Sequence, residues 1–365
     1  MNWDALPFDK AELERYLASL YQDQVLVSAG RELKDEQDEG GLKEFGYGVP
    51  LLIEFTLDGK KERAVFHTMS ADGFGHERRS DRARNLILDY DTFNKLRRHV
   101  RALDVGALTS TSKLLSLGET GEFFLLSDYA PGRLYVKDLQ RIEGSGGLDL
   151  MDKKRARLLA DFLVGVHGLK KPDAMLYRRR IRDLLGHGEG VMGILDSYPA
   201  DFSLAPSDRL EAIEQSCVAW RWRIKGFSHR LSQVHGDFHP WNVLFEDEDE
   251  FALLDRSRGE WGEPADDVSA MTINYILFSV RQHGMLTGPF RQLYDLFWGH
   301  YLAATQDEEI LDVIQPFYAW RALVVASPVW YPDLAPSVRE ALFRFIENVL
   351  TTDRFVPEQV NEYLV

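Results

Sequence analysis

Val234-His235-Gly236-Asp237-Phe238-His239-Pro240-Trp241-Asn242-Val243-Leu244-Phe245 is the stretch on which the reading of this 365-residue chain turns. It runs into five consecutive acids, residues 246–250, and then into Phe251-Ala252-Leu253-Leu254-Asp255. Charge that dense between two short apolar runs reads as the solvated tip of a β-hairpin whose arms are 243–245 and 251–254. A hairpin brings the ends of its arms together, so Asn242 and Asp255 are expected side by side at its open end. Asp237 precedes Asn242 on an irregular loop containing Gly236 and Pro240, and is expected to reach the same point. An amide oxygen and a carboxylate are hard ligands that suit magnesium, which commonly takes one or two protein ligands and completes its octahedron with phosphate oxygens and water. A separate aspartate can orient a hydroxyl and accept its proton.

Outward from this stretch the two sides of the chain differ in character. On the N-terminal side, periodicity predicts a helix over 11–21, an extended segment over 24–28, a glycine-bearing acidic loop over 30–48 and a hairpin with arms 49–57 and 63–69 turning at Asp58-Gly59. A helix is predicted over 80–100, with Leu86, Leu88, Phe93 and Leu96 as its apolar positions. A strand over 123–126 then leads into Ser127-Asp128-Tyr129-Ala130-Pro131-Gly132, read as a boundary. Beyond it the pattern is helical, over 158–166, 210–227, 268–280, 290–301 and 338–350. Strands followed by helices predict an α+β protein with a small β-rich N-lobe, residues 1–127, and a larger helical C-lobe, residues 128–365. Residues 170–206 are less regular, and their cluster Arg178, Arg179, Arg180 and Arg182 reads as a solvated face.

Composition removes several classes of function. With 45% apolar and 28% charged residues the chain is a folded globular protein, and it contains no repeat. No apolar run approaches the roughly 20 residues of a membrane span, and the opening residues lack a basic start, so a cytoplasmic protein is expected. Its 58 acids against 43 bases give a net charge of -15, which repels nucleic acid and anionic lipid and suits a cationic or neutral small partner. Cys217 is the single cysteine, so no internal disulfide forms. It falls on the stripe Leu210, Ile213, Cys217, Trp220, Ile224 and Phe227 and reads as a core residue. His167, at an apolar helix end, reads as a core or capping histidine.

The run from His235 through Gly236, Asp237, Asn242 and Leu244 to an apolar pair and Asp255 resembles the signature of aminoglycoside phosphotransferases and their relatives. Those relatives include the choline, homoserine, fructosamine and methylthioribose kinases. Gly262-Glu263-Pro264-Ala265-Asp266-Asp267-Val268 is similar to the family's Gly-Asp-Pro-x-x-Asp-Leu segment. Residues 125–132 resemble its hinge and 159–169 its helix ending in Leu-His, so the likeness covers residues 49–268. It implies a bilobal protein-kinase-like fold and ATP- and magnesium-dependent transfer of the γ-phosphate to a hydroxyl of a small molecule. By this resemblance Asp237 is the catalytic base, Asn242 and Asp255 hold Mg2+, and Asp267 buttresses the loop within which His235 hydrogen-bonds. The backbone at Ser127, Asp128 and Tyr129 would face adenine in a nucleotide-binding N-lobe, leaving catalysis and substrate binding to the C-lobe.

Three features depart from that pattern. The family's third strand normally ends in Lys or Arg paired with a helical Glu, whereas this strand reads Arg63-Ala64-Val65-Phe66-His67. Helix counting places the partner acid at Asp89, so a His67–Asp89 pair beside the nucleotide phosphates is expected. The loop 41–48 has glycines that fit either a phosphate-facing loop or plain turns, while Asp35, Glu36, Asp38, Glu39 and Glu44 oppose an anion. Trp241 stands where a small residue is common, and its bulk is expected to shape the substrate side. Two rival readings follow from the residues. His235, Asp237 and His239 alternate as ligands of a metal-dependent hydrolase could, although no second histidine cluster accompanies them. A nucleotide-binding pseudokinase or scaffold without turnover would account for the missing lysine, against the presence of Asp237, Asn242 and Asp255. The chain lacks the His-Arg-Asp and Asp-Phe-Gly forms of protein-serine kinases.

Overall fold

The computed structural model describes residues 8–32, 48 and 50–365, and the chain divides into two compact units, Met1–Ser127 and Asp128–Val365. Apart from Gly48, the loop expected over 30–48 lies outside the described residues from position 33 onward. In the smaller unit Asp9 opens helix α1 (Lys10–Tyr21) by accepting from the Glu12 amide at 2.7 Å, which satisfies one of the helix's orphan donors. Three antiparallel strands follow as a meander, β1 (Val25–Glu32), β2 (Leu51–Leu57) and β3 (Lys60–Phe66). Asp58 and Gly59 take φ of 48° and 72°, the left-handed pair that a two-residue hairpin turn of matching twist requires. Alternation along β1 and β2 buries Val25, Val27, Ile53 and Phe55 against Leu13 and Leu17 of α1, and this is the unit's core.

Two expectations for this unit are corrected. Helix α2 (Arg79–Phe93) ends before residue 100, because the Asn94 side chain exchanges hydrogen bonds of 3.0 and 3.1 Å with the Ala102 backbone and turns the chain. None of its residues is buried, so the expected apolar positions form no core face. β4 (Gly106–Leu108) and β5 (Leu114–Ser116) pair with each other, but no strand forms over 123–126. That segment has no ladder partner among the described residues, and Phe124, Leu125 and Leu126 are 92%, 91% and 88% exposed.

The larger unit starts with β6 (Arg133–Leu134), α3 (Val136–Ser145), α4 (Leu150–His167), α5 (Ala174–Gly186), α6 (Val191–Asp196) and α7 (Ser207–Ile224). Short strands β7 (Ser232–Gln233), β8 (Val243–Phe245), β9 (Phe251–Leu253) and β10 (Trp261–Gly262) precede helices α8 (Pro264–His283), α9 (Gly288–Thr305), α10 (Gln315–Ala326) and α11 (Pro336–Thr351). The hairpin is as expected: β8 and β9 pair antiparallel, Val243 opposite Leu253 and Phe245 opposite Phe251, with the acids 246–250 exposed at the tip. β7 pairs with β10, so the loops 234–242 and 254–260 leave the same pair of small ladders.

Helix α8 is buried at every position from Pro264 to Val280, because it is apolar nearly all round and α9, α10 and α11 pack about it. Its start is fixed by Glu263, which accepts from Arg230 Nη2 at 2.7 Å and from the Tyr177 hydroxyl at 2.9 Å. Helix α7 buries Ile213, Cys217, Trp220 and Ile224, as their spacing predicts. Burial pushes the Cys217 thiol up to about 12, as befits a core residue. The solvated reading of the basic cluster fails at Arg180, which α5 turns inward and buries. No helix among the described residues is long and apolar enough to cross a membrane.

Candidate active site

The loop between β7 and β8 is held first through its backbone. Asp267, in the first turn of α8, accepts the His235 amide on Oδ2 at 2.8 Å and the Gly236 amide on Oδ1 at 2.7 Å. His167 Nε2 lies 3.1 Å from the same Oδ2, and its Nδ1 lies 2.8 Å from the Tyr301 hydroxyl. Burial opposes the Asp267 charge, but the His167 hydrogen bond and the facing amides hold the carboxyl below the usual range. Gly236 has φ 86°, a left-handed conformation at which a Cβ would also stand 3.3 Å from Arg258. His235 is buried, its Nδ1 accepts the Asp237 amide at 3.2 Å, and burial lowers its ring's affinity for a proton.

Asp237 follows, with only 8% of its surface exposed. Two guanidinium groups meet one of its oxygens: Arg321 Nη1 and Arg258 Nη1 each lie 2.6 Å from Oδ1. The other oxygen, Oδ2, faces His239 Nε2 at 3.6 Å. Burial alone would raise this carboxyl, yet Arg321, His239 and Arg258 together hold it well below the ordinary carboxylate range. Arg321 Nη2 also donates to the Gly236 carbonyl at 3.0 Å and to Asp266 Oδ1 at 2.5 Å. Asp266 faces Arg180 Nη2 at 3.5 Å as well, and its burial pushes its carboxyl up.

At the open end of the β8–β9 hairpin the Leu254 amide donates to the Asn242 carbonyl at 2.9 Å, bringing Asn242 and Asp255 together. Asn242 Nδ2 donates to the Asp237 carbonyl at 3.1 Å, and among the described residues nothing donates to its Oδ1. Asp255 is exposed, with φ 51°, and its carboxylate accepts from the Ser257 amide at 3.2 Å. One amide oxygen and one carboxylate, neither saturated by protein donors, are a donor set that fits magnesium. The rival metal reading is not supported, since no group of three His, Cys, Asp or Glu suited to a metal occurs among the described residues. Trp241 is half-buried, edge-on to His239 at 5.8 Å between ring centres and to Tyr331 at 6.3 Å.

Residues 78–301, more than half of the chain, match the phosphotransferase enzyme family, abbreviated APH. The chain belongs to that family. Three solved structures that resemble this APH member are a glucosamine kinase in complex with glucosamine, ADP and inorganic phosphate, an amicoumacin kinase in complex with AMP-PNP and Ca2+, and an ethanolamine kinase of Plasmodium vivax. The glucosamine kinase is 18% identical with a TM-score of 0.38, over 56% of this chain and 57% of its own. For the amicoumacin kinase the values are 15%, 0.41, 97% and 98%, and for the ethanolamine kinase 12%, 0.35, 94% and 80%. Comparison with curated proteins finds no match.

Elsewhere in this APH chain the residues expected to meet the nucleotide are all exposed. His67 lies just beyond β3 and Asp89 is on α2; both are exposed, and no ion pair joins them. The expected pair is therefore corrected: β3 stops at Phe66, and α2 presents Asp89 to solvent. Ser127, Asp128 and Tyr129 are exposed in an irregular segment. Sequence reasoning missed Arg321, Arg258, Arg180 and Asp266. A signal for Arg321 was present: it is the single charged residue in the apolar helix Gln315–Ala326, and an arginine so placed is rarely buried without a partner.

Proposed function

We propose that the chain is a magnesium- and ATP-dependent kinase that transfers the γ-phosphate to a hydroxyl of a small, neutral or cationic molecule. The observation that carries this reading is the division of labour within Asp237: Oδ1 is taken by two arginines, whereas Oδ2 accepts no hydrogen bond among the described residues and has His239 Nε2 3.6 Å away. As the hydroxyl oxygen bonds to phosphorus and the bond to the departing diphosphate breaks, the hydroxyl proton passes to Oδ2. A carboxylate held so firmly ionised is a weak base, but a loose phosphoryl-transfer transition state asks for the proton late, so orientation matters more than basicity. Asn242 and Asp255 would hold magnesium, which supplies charge neutralisation to the phosphates. Asn242 also ties that end of the hairpin to the Asp237 backbone, keeping proton acceptor and metal ligands in one register. His235 and Asp267 act on loop geometry, and Trp241 with Tyr331 lines the acceptor side. The reading also assigns His67 to the nucleotide phosphates and the backbone at Ser127, Asp128 and Tyr129 to adenine.

The test is a screen of amino sugars, amino alcohols and neutral polyols with ATP and Mg2+, run in parallel on Asp237→Asn. Transfer by the parent protein and a loss of about 10²–10⁴-fold in the variant are expected. Equal turnover in the two proteins would remove Asp237 from the chemistry. ATP binding without transfer to any acceptor would favour the turnover-free scaffold.

A further inference from the structure

The family match ends at residue 301, yet one of the two arginines that lie 2.6 Å from Asp237 Oδ1 stands beyond it, on α10. Arg321 is 6% exposed and makes three hydrogen bonds, to Asp237 Oδ1, to the Gly236 carbonyl and to Asp266 Oδ1. Its guanidinium lies 4.0 Å above the Trp320 ring, which fixes the plane of the fork. Neutralising Asp266 does not by itself account for this arrangement, because Arg180 already faces that carboxylate. What Arg321 adds is a grip on both the backbone and the side chain at the turn that presents Asp237. Arg258 completes it from the other side, 2.6 Å from the same Oδ1 and 3.3 Å from the same Gly236 carbonyl.

We propose that Arg321 is a positioning residue for phosphoryl transfer, which with Arg258 locks Asp237 Oδ1 so that Oδ2 alone is turned to the acceptor hydroxyl. The inference rests on the function proposed above. A planar fork bridging two acceptors at fixed spacing cannot be replaced by the point charge of lysine, so Arg321→Lys keeps the buried charge while losing the geometry. A misplacement of about 1 Å at a reacting group can cost about 10²-fold in rate.

The experiment compares the parent protein with Arg321→Lys, Arg258→Gln and Asp237→Asn. Each is assayed for Mg-ATP turnover with the best hydroxylated acceptor from the screen, or with water as acceptor, alongside thermal melting and calorimetric Mg-ATP binding. In Arg321→Lys, kcat should fall about 10- to 100-fold, while acceptor KM and Mg-ATP affinity stay within about threefold of the parent. Arg258→Gln, at a more exposed guanidinium, should lower kcat by about three- to tenfold, again without moving KM. Should Arg321→Lys fail to fold, Arg258→Gln decides, and an unchanged kcat there overturns the proposal. A folded Arg321→Lys protein with parental kcat also overturns it, as does a parallel loss of kcat, KM and nucleotide affinity, which marks a purely structural ion pair. If Asp237→Asn turns over normally, or the parent has no activity with any acceptor, the underlying reading fails and takes this inference with it. An inactive Asp237→Asn beside a fully active Arg321→Lys sinks the positioning role alone.

Discussion

The two halves of the candidate site are built in opposite ways. The 234–242 loop is over-determined: Asp267 takes two of its amides, Arg321 and Arg258 share one Asp237 oxygen, and Arg256 Nη2 donates to the Val234 carbonyl at 2.7 Å. The open end of the β8–β9 hairpin is left under-satisfied, with Asn242 Oδ1 accepting from no described group and Asp255 exposed in a left-handed conformation. The contrast teaches that the chain invests its buried charge in holding one carboxylate still, and leaves a second one exposed with a single backbone donor. Rigid positioning suits a proton acceptor, whereas a magnesium site exchanging with each nucleotide needs oxygens not already committed to protein donors.

The largest effect expected from breaking this contrast is at the open end. Asp255→Asn keeps a residue that tolerates φ 51° but removes the anionic ligand. Magnesium-dependent ATP affinity, measured by calorimetry with and without the metal, should drop by about 10-fold or more, while the melting temperature stays near that of the parent. Unchanged Mg-ATP affinity would mean that the hairpin end is not a metal site.

At the over-determined loop the same kind of change should act mainly on stability. Asp267→Asn places an amide group against one of two buried backbone donors and leaves it unsatisfied, a cost of about 1–3 kcal/mol. Urea unfolding should show that loss, together with weaker turnover as the loop loosens. A fully stable Asp267→Asn protein would refute the buttress.

A smaller effect, graded by pH, separates the two regions further. Asp237 and Asp267 are held below the usual carboxylate range, so each contributes stability above its unfolded pKa of about 4 and loses it as pH falls towards the folded value. Asp266, raised by burial, works in the opposite sense and softens the trend. The urea midpoint should therefore fall between pH 4 and pH 3, and fall less in Asp267→Asn, whose share of the linkage is gone. An identical acid slope in the two proteins would show that Asp267 takes no part in it.

Local pattern made the β8–β9 hairpin, the Cys217 face of α7 and the β2–β3 hairpin of the smaller unit legible. In each case a period of two or of three and four, with a turn or an acidic tip, is enough to say which residues share a face. The same reasoning failed at 123–126, where apolar residues in a row have no ladder partner among the described strands. It also failed at α2, whose apolar residues find no core, and at Arg180, which is buried while Arg178, Arg179 and Arg182 are more exposed.

Readable from the chain alone is the candidate constellation: Asp237, Asn242 and Asp255 stand at separations that a single loop and a single hairpin can close, because those distances are set by local geometry. What only the tertiary structure decided is the state of Asp237. Arg321 is 84 residues away along the chain, and it arrives because α10 must bury its apolar faces against α8, leaving its one charge to find the acids at the helix's start. Spacing can nominate a carboxylate, but which of its oxygens is held and which is offered depends on packing between helices that no local period encodes.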